Sequence, residues 1–141
     1  MWQGVRFSLL AEAAAACAAT AIVVSILMQA ILFHKFQKLT PNTWRQEDKR
    51  KYAIAMFARL ILGVGFTMLY VYTGMGRSVR AEWLMIGLKF GGLGWLGVAL
   101  PQTISMATFV NLNRGFVVGQ LLDWLIVCLA CGVICARLLQ Y

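Results

Sequence analysis

The sequence predicts an all-α fold, an integral membrane four-transmembrane-helix bundle, and three observations carry that prediction. Hydrophobic residues make up 61% of the 141 and charged residues only 13%, with a mean hydropathy of +0.75. A soluble domain this short has too small an interior to hide so much apolar surface. The apolar residues also fall in continuous runs, free of Asp, Glu, Lys and Arg over residues 13–33, 60–76, 90–113 and 124–136. A spanning helix needs about 20 predominantly apolar residues. Two of the runs reach that length unaided, and the other two do so by admitting one charge apiece, Arg59 and Asp123. Unbroken rather than alternating apolar runs favour helices over a transmembrane barrel.

The predicted spans are 8–33, 52–73, 83–110 and 115–139, in a single membrane domain covering 1–141, with a basic loop over 34–51. The first span begins after Arg6 and carries small residues around Cys17, which resembles a signal peptide. Its apolar character continues through Ile31, beyond the core of about 7–15 residues that signal peptides use, so it is read as a retained helix. In the loop, Pro41 stops any preceding helix because its ring clashes and it lacks an N–H. Thr43 with Gln46 fits a capping box from which a helix runs into the second span. Trp44 and Tyr52 are expected at one membrane interface, and Trp83, Tyr72 and Trp2 at the other. The third span is crowded with glycine. Gly87 with Gly91, and Gly115 with Gly119, are GxxxG pairs that let helix backbones approach, as does the Ala-rich run 13–21. Pro101 is expected to kink the third helix near Gln102 and Thr103 and leave carbonyls in need of partners.

Positive charge orients the bundle. The first and third loops hold seven Lys and Arg residues (Lys35, Lys38, Arg45, Lys49, Arg50, Lys51, Arg114), against four on the opposite side (Arg6, Arg77, Arg80, Arg137). The positive-inside rule then puts loop 34–51 in the cytoplasm, both termini outside, and the chain in the plasma (inner) membrane. The net charge of +8 clusters at predicted membrane boundaries, where it meets anionic headgroups. That placement argues for a lipid bilayer as partner and against nucleic acid. A homo-oligomer or a larger membrane complex is compatible with the sequence. The segment 44–51 reads as a topology signal, with a lipid- or partner-binding basic helix as the alternative.

Charges inside the spans are the candidate functional residues, because each costs about 2.5–3.5 kcal/mol to insert. Arg59 lies seven residues beyond Tyr52, and Asp123 eight beyond Gly115, both counted from the same side. At ~1.5 Å per residue they share a depth of roughly 10–12 Å. Glu12 and Lys89 match in depth near the other side, on the first and third helices, where they can also snorkel. Arg59, Gly63, Phe66, Thr67 and Tyr70 recur at helical spacing and share one face. The plainer reading of this seam is an ion pair that fixes helix register. The functional one is a relay for protons or a substrate.

Cys128, Cys131 and Cys135 are spaced to share a face of the fourth helix, with Cys17 at comparable depth on the first. Packing explains them most simply, since Cys is small and often buried. Thiol exchange or a soft metal such as copper(I) is the alternative, although the one histidine, His34, lies at the opposite end. No metal or cofactor is expected, and no catalytic motif is present, so the sequence does not read as an enzyme.

The basic loop with Pro41 and Trp44, the run Gly92-Leu93-Gly94-Trp95-Leu96-Gly97, and the closing helix around Gly119-Gln120-Leu121-Leu122-Asp123 resemble a bacterial domain-of-unknown-function family of small four-helix integral membrane proteins. The resemblance covers most of the chain, and Cys128, Cys131 and Cys135 stand outside its pattern. It implies the fold and no activity. The functional expectation is a transporter- or channel-like component using the Arg59/Asp123 seam. The alternative is a non-catalytic scaffold or accessory subunit, and thiol redox or soft-metal handling is a distant third.

Overall fold

The structure is a computed structural model and describes residues 6–39, 49–75 and 82–139. Four helices account for nearly all of these: α1 (Phe7–Gln37), α2 (Lys49–Tyr72), α3 (Trp83–Phe109) and α4 (Arg114–Leu138). Among the described residues there is no strand. Each helix is long and apolar enough to cross a membrane; the shortest, α2, has 24 residues, or about 36 Å at ~1.5 Å per residue against a hydrocarbon core of about 30 Å. The fold is therefore all-helical and compatible with a multi-pass membrane protein.

The helix ends differ from the predicted spans in an instructive way. α1 continues past Phe33 to Gln37, and α2 already begins at Lys49, so both flanks of the expected loop 34–51 are helical. Lys, Arg and Gln end an apolar run without ending a helix, because their helix propensities are high. The readings of Trp2, Pro41, Thr43, Trp44, Arg45, Gln46, Arg77 and Arg80 fall outside the described residues. α4 starts where the Asn113 side chain accepts a hydrogen bond from the Gly115 amide at 2.8 Å. That satisfies one of the donors every helix N-terminus leaves free.

Small residues set the packing order. α1 lies against both α2 and α4, and α3 lies against α4, so the sequence across the bundle is α2, α1, α4, α3. α1 carries two small-residue seams one residue apart. Ala13, Cys17 and Ala21 are wholly buried, and Cys17 meets Cys131 and Cys135 of α4. Ala14 and Ala18 face Gly63 of α2, where an added Cβ would lie 2.6 Å from the Ala14 carbonyl oxygen and 2.8 Å from the Ala18 nitrogen. α3 and α4 approach through Gly87, Gly91 and Gly132 in the same manner. Close backbone approach of this kind is how helices associate in a bilayer, where van der Waals contact rather than apolar burial drives packing. Gly115 and Gly119 behave differently, since they accept the rings of Phe36 and Phe33 rather than a helix backbone.

Two helices contain a wider, π-helical turn. In α3 it covers Trp95–Ala99, just before Pro101. The expected irregularity at Gln102 and Thr103 therefore lies on the N-terminal side of the proline, where the extra residue relieves the clash with the preceding turn. The Thr103 hydroxyl donates to the Ala99 carbonyl at 2.7 Å, and the Trp95 indole donates to the Leu121 carbonyl of α4 at 3.0 Å. In α1 the π turn covers Gln29–Phe33 and borders the cavity described below. The outer surface is rich in exposed Ile54, Phe57, Ile61, Leu93, Leu96 and Val98. An exterior with this many large apolar side chains is compatible with a membrane.

Candidate functional site

Asp123 is the most deeply buried charge of the described residues, and the sequence around it explains why. It lies on the face of α4 that also carries Phe116, Gly119, Val127 and Cys131, all of them buried. Any residue on that face points into the bundle. Arg59 of α2 reaches it, with Nη2 donating to Asp123 Oδ2 at 3.0 Å. The carboxylate side chain has no exposure and the arginine side chain 18%, so the cation keeps an outlet that the anion lacks. The guanidinium also lies over the Trp124 ring, 4.8 Å from its centroid, an arrangement that adds cation–π attraction.

The ion pair forms the floor of an open cavity of about 640 Å³ between α1, α2 and α4. Its walls are mainly Ile22, Ile26, Phe33, Met56 and Phe116, with the polar groups of Ser25, Gln29, His34, Gln37, Tyr52 and Gln120 interspersed. The cavity exists because α2 diverges at its start: every residue from 49 to 58 is exposed, whereas Gly63 is sealed against α1. Gln29 donates to Gln37 at 3.2 Å along the cavity wall, and the Phe33 and Phe116 rings pack at a tilt of 46° with centroids 4.9 Å apart. Among the described residues, Ser25 Oγ, Arg59 Nη1 and Asp123 Oδ1 are buried without a hydrogen-bond partner. The Ser25 hydroxyl lies beside the carboxylate without a well-formed bond to it. The ion pair is thus made through one contact, and the atoms that would complete a second remain unsatisfied.

Beyond the ion pair the helices close. Thr67 and Tyr70 lie on the same buried face of α2 as Arg59, but Gly63 and its contacts with Ala14 and Ala18 stand between them. Arg59 and Thr67 are eight residues apart, roughly 12 Å along the helix. Thr67 instead meets the Cys135 thiol at 3.8 Å, and Tyr70 packs edge-on against Phe90 at 5.0 Å. The polar stripe read from the sequence is therefore two separate sites, with packed backbone between them.

Glu12 and Lys89 are both exposed, and the ion pair found among the described residues is that of Arg59 with Asp123. Their helices, α1 and α3, are not packed partners, so equal depth does not bring them together. The cysteines regroup as well. Cys17 Sγ lies 3.7 Å from Cys135 Sγ, and Cys17 and Cys131 each direct their thiol at the other's carbonyl, at 3.7 and 3.6 Å. Cys128 belongs to the contact with α3, where its carbonyl faces Gly91. Among the described residues all four thiols are free and buried, and no three His, Cys, Asp or Glu side chains are disposed to hold a metal ion. A maleimide should therefore leave all four thiols unmodified in the folded protein and label all of them after denaturation. Intact-mass measurement reads this directly, and labelling of folded protein would contradict the packing of the α1–α4 seam.

Ser25, Gln29 and Gln120 are site residues that sequence reasoning passed over. Their signal was present, as polar side chains at helical spacing in otherwise apolar runs: Ser25 and Gln29 on α1, Gln120 and Asp123 on α4. Together these features define a four-helix bundle of membrane-spanning dimensions with a polar-floored cavity at one end. No known protein family matches the chain, and no curated protein or solved structure matches it either.

Proposed function

We propose that this chain is a small multi-pass membrane protein of the plasma (inner) membrane that binds a solute in the α1–α2–α4 cavity and carries it, as a transporter or a component of one. The observation that supports this most strongly is the unsatisfied floor of the cavity. A pair that served only to fix helix register would be expected to close both of its hydrogen bonds, because an unmet buried donor or acceptor costs about 1–3 kcal/mol. Intramembrane charges beside a cavity are characteristic of solute pathways. The positive-inside rule places the mouth, near Gln37 and Tyr52, toward the cytoplasm and both termini outside.

A continuously open channel fits less well, since Gly63, Ala14, Ala18 and the Cys17 seam close the bundle beyond Arg59. Passage would require α2 to shift against α1, which is the behaviour of a carrier. The test is solute uptake into proteoliposomes holding the full chain, with a panel of small uncharged and ionic solutes. A saturable flux above that of protein-free liposomes is expected for one class, and Ala55→Trp, which fills the cavity from the exposed part of α2, should abolish it. Uptake equal to that of empty liposomes across the panel would leave the non-catalytic scaffold as the better reading.

A further inference from the structure

The chemistry of the cavity floor restricts what can bind there, and this step rests on the binding role given to the cavity above. Among the described residues three buried atoms lack partners: Asp123 Oδ1, which as a carboxylate can only accept; Arg59 Nη1, which can only donate; and Ser25 Oγ, which can do either. The two charges already neutralise each other through the 3.0 Å contact. A carboxylate head group would satisfy Arg59 Nη1 but bring a second anion against Asp123. An ammonium group would satisfy Asp123 Oδ1 but leave Nη1 unmet and bring a second cation against Arg59. Either ion unbalances a buried neutral pair, and an uncompensated buried charge is among the costliest defects a protein interior can hold. A head group that donates and accepts at once meets both needs without adding charge.

The rest of the cavity describes the rest of the ligand. Its volume of about 640 Å³ falls in the range of small-molecule sites, about 300–1,000 Å³. Ile22, Ile26, Phe33 and Met56 form apolar walls between the polar floor and the mouth. We propose that the cavity takes an uncharged amphipathic molecule, its head a primary carboxamide or a group of equivalent hydrogen bonding seated on Asp123, Arg59 and Ser25. The apolar chain lies along α1 toward the mouth.

The experiment uses the full chain in detergent with three probes that share a heptyl chain and differ only in the head group: octanamide, octanoate and heptylammonium, at pH 8. Thermal stability is followed against probe concentration. Octanamide is expected to raise the Tm saturably, with half-saturation at least about ten-fold lower than for either ion. Ser25→Ala should weaken the octanamide response roughly five-fold, the size of one ordinary hydrogen bond, and Ala55→Trp should remove it. Equal shifts from all three probes would mean partition into the micelle and would overturn the proposal. So would preference for either ion, the absence of any octanamide shift, or an octanamide response indifferent to both variants. Octanamide selectivity without solute flux in proteoliposomes would keep this site and remove the transport role. Flux without octanamide selectivity would do the reverse.

Discussion

Arg59→Gln should lower the stability of the folded protein by about 3–5 kcal/mol, the usual cost of stranding one member of a buried ion pair. Asp123→Asn should cost less, about 1–3 kcal/mol, the range for an orphaned polar group. The asymmetry follows from exposure. Arg59 retains 18% of its side-chain surface, whereas Asp123 has none, so a lone arginine still has the cavity and the Trp124 ring for company. A lone aspartate has the Ser25 hydroxyl beside it and little else. The double variant should recover most of the loss, because two neutral amides of similar size remove both charges together. Thermal melts in detergent of the wild type, both single variants and the double variant close the cycle. A coupling energy above about 1 kcal/mol is expected for groups in direct contact. Strictly additive losses would show that the 3.0 Å contact contributes nothing to the fold.

The same cycle bears on how the site could be read from the sequence. Depth was legible. Charged residues are so rare in apolar helices that counting residues from each span's start placed Arg59 and Asp123 at one level. Azimuth was not, and Glu12 with Lys89 shows the consequence. Those two share a level as well, but they lie on the exposed faces of helices that do not adjoin. In a soluble bundle the polar face of each helix would reveal its outward side. Here exposed and core-facing residues are alike apolar, so α1 gives no directional signal beyond its small residues. Those small residues did mark the seams: Ala14 and Ala18 meet Gly63, and Ala13, Cys17 and Ala21 are buried one residue round the helix.

The cysteine face illustrates the same limit. Spacing correctly gathers Cys128, Cys131 and Cys135 on the inner side of α4, where all are buried. It cannot say that α4 has two inner neighbours. Cys128 is drawn to the α3 side and Cys131 and Cys135 to α1 and Cys17. The cavity was the least legible feature. It arises where α2 diverges over residues 49–58, a matter of helix trajectory that no local residue pattern encodes. Ser25, Gln29 and Gln120 are uncharged and cost far less to bury than Arg59 or Asp123, so their presence in an apolar helix does not by itself mark a site.

Gly132→Ala should be damaging out of proportion to the one carbon it adds. The new Cβ would collide with the Gly87 carbonyl oxygen, and would lie 2.9 Å from the Gly91 nitrogen and 3.1 Å from its Cα. All three are backbone atoms of α3, so no side chain can rotate away and the helices themselves must separate. Overpacking of this kind costs about 1–3 kcal/mol, and Gly132→Leu should prevent assembly of the bundle. Gly92→Ala is the matched control, one residue from Gly91 on the same helix but with nothing within 4 Å of its added Cβ. It should be neutral, or stabilising by up to about 1 kcal/mol through helix propensity. The recovery of monodisperse protein after graded heating distinguishes the two, and equal recovery would contradict the close α3–α4 approach. A further consequence separates scaffold from site. No described residue of α3 lines the cavity, so the fraction of Gly132→Ala that remains folded should bind octanamide with wild-type affinity. A parallel loss of affinity and stability would mean that the cavity's shape depends on α3 through α4, and that the bundle moves as one body.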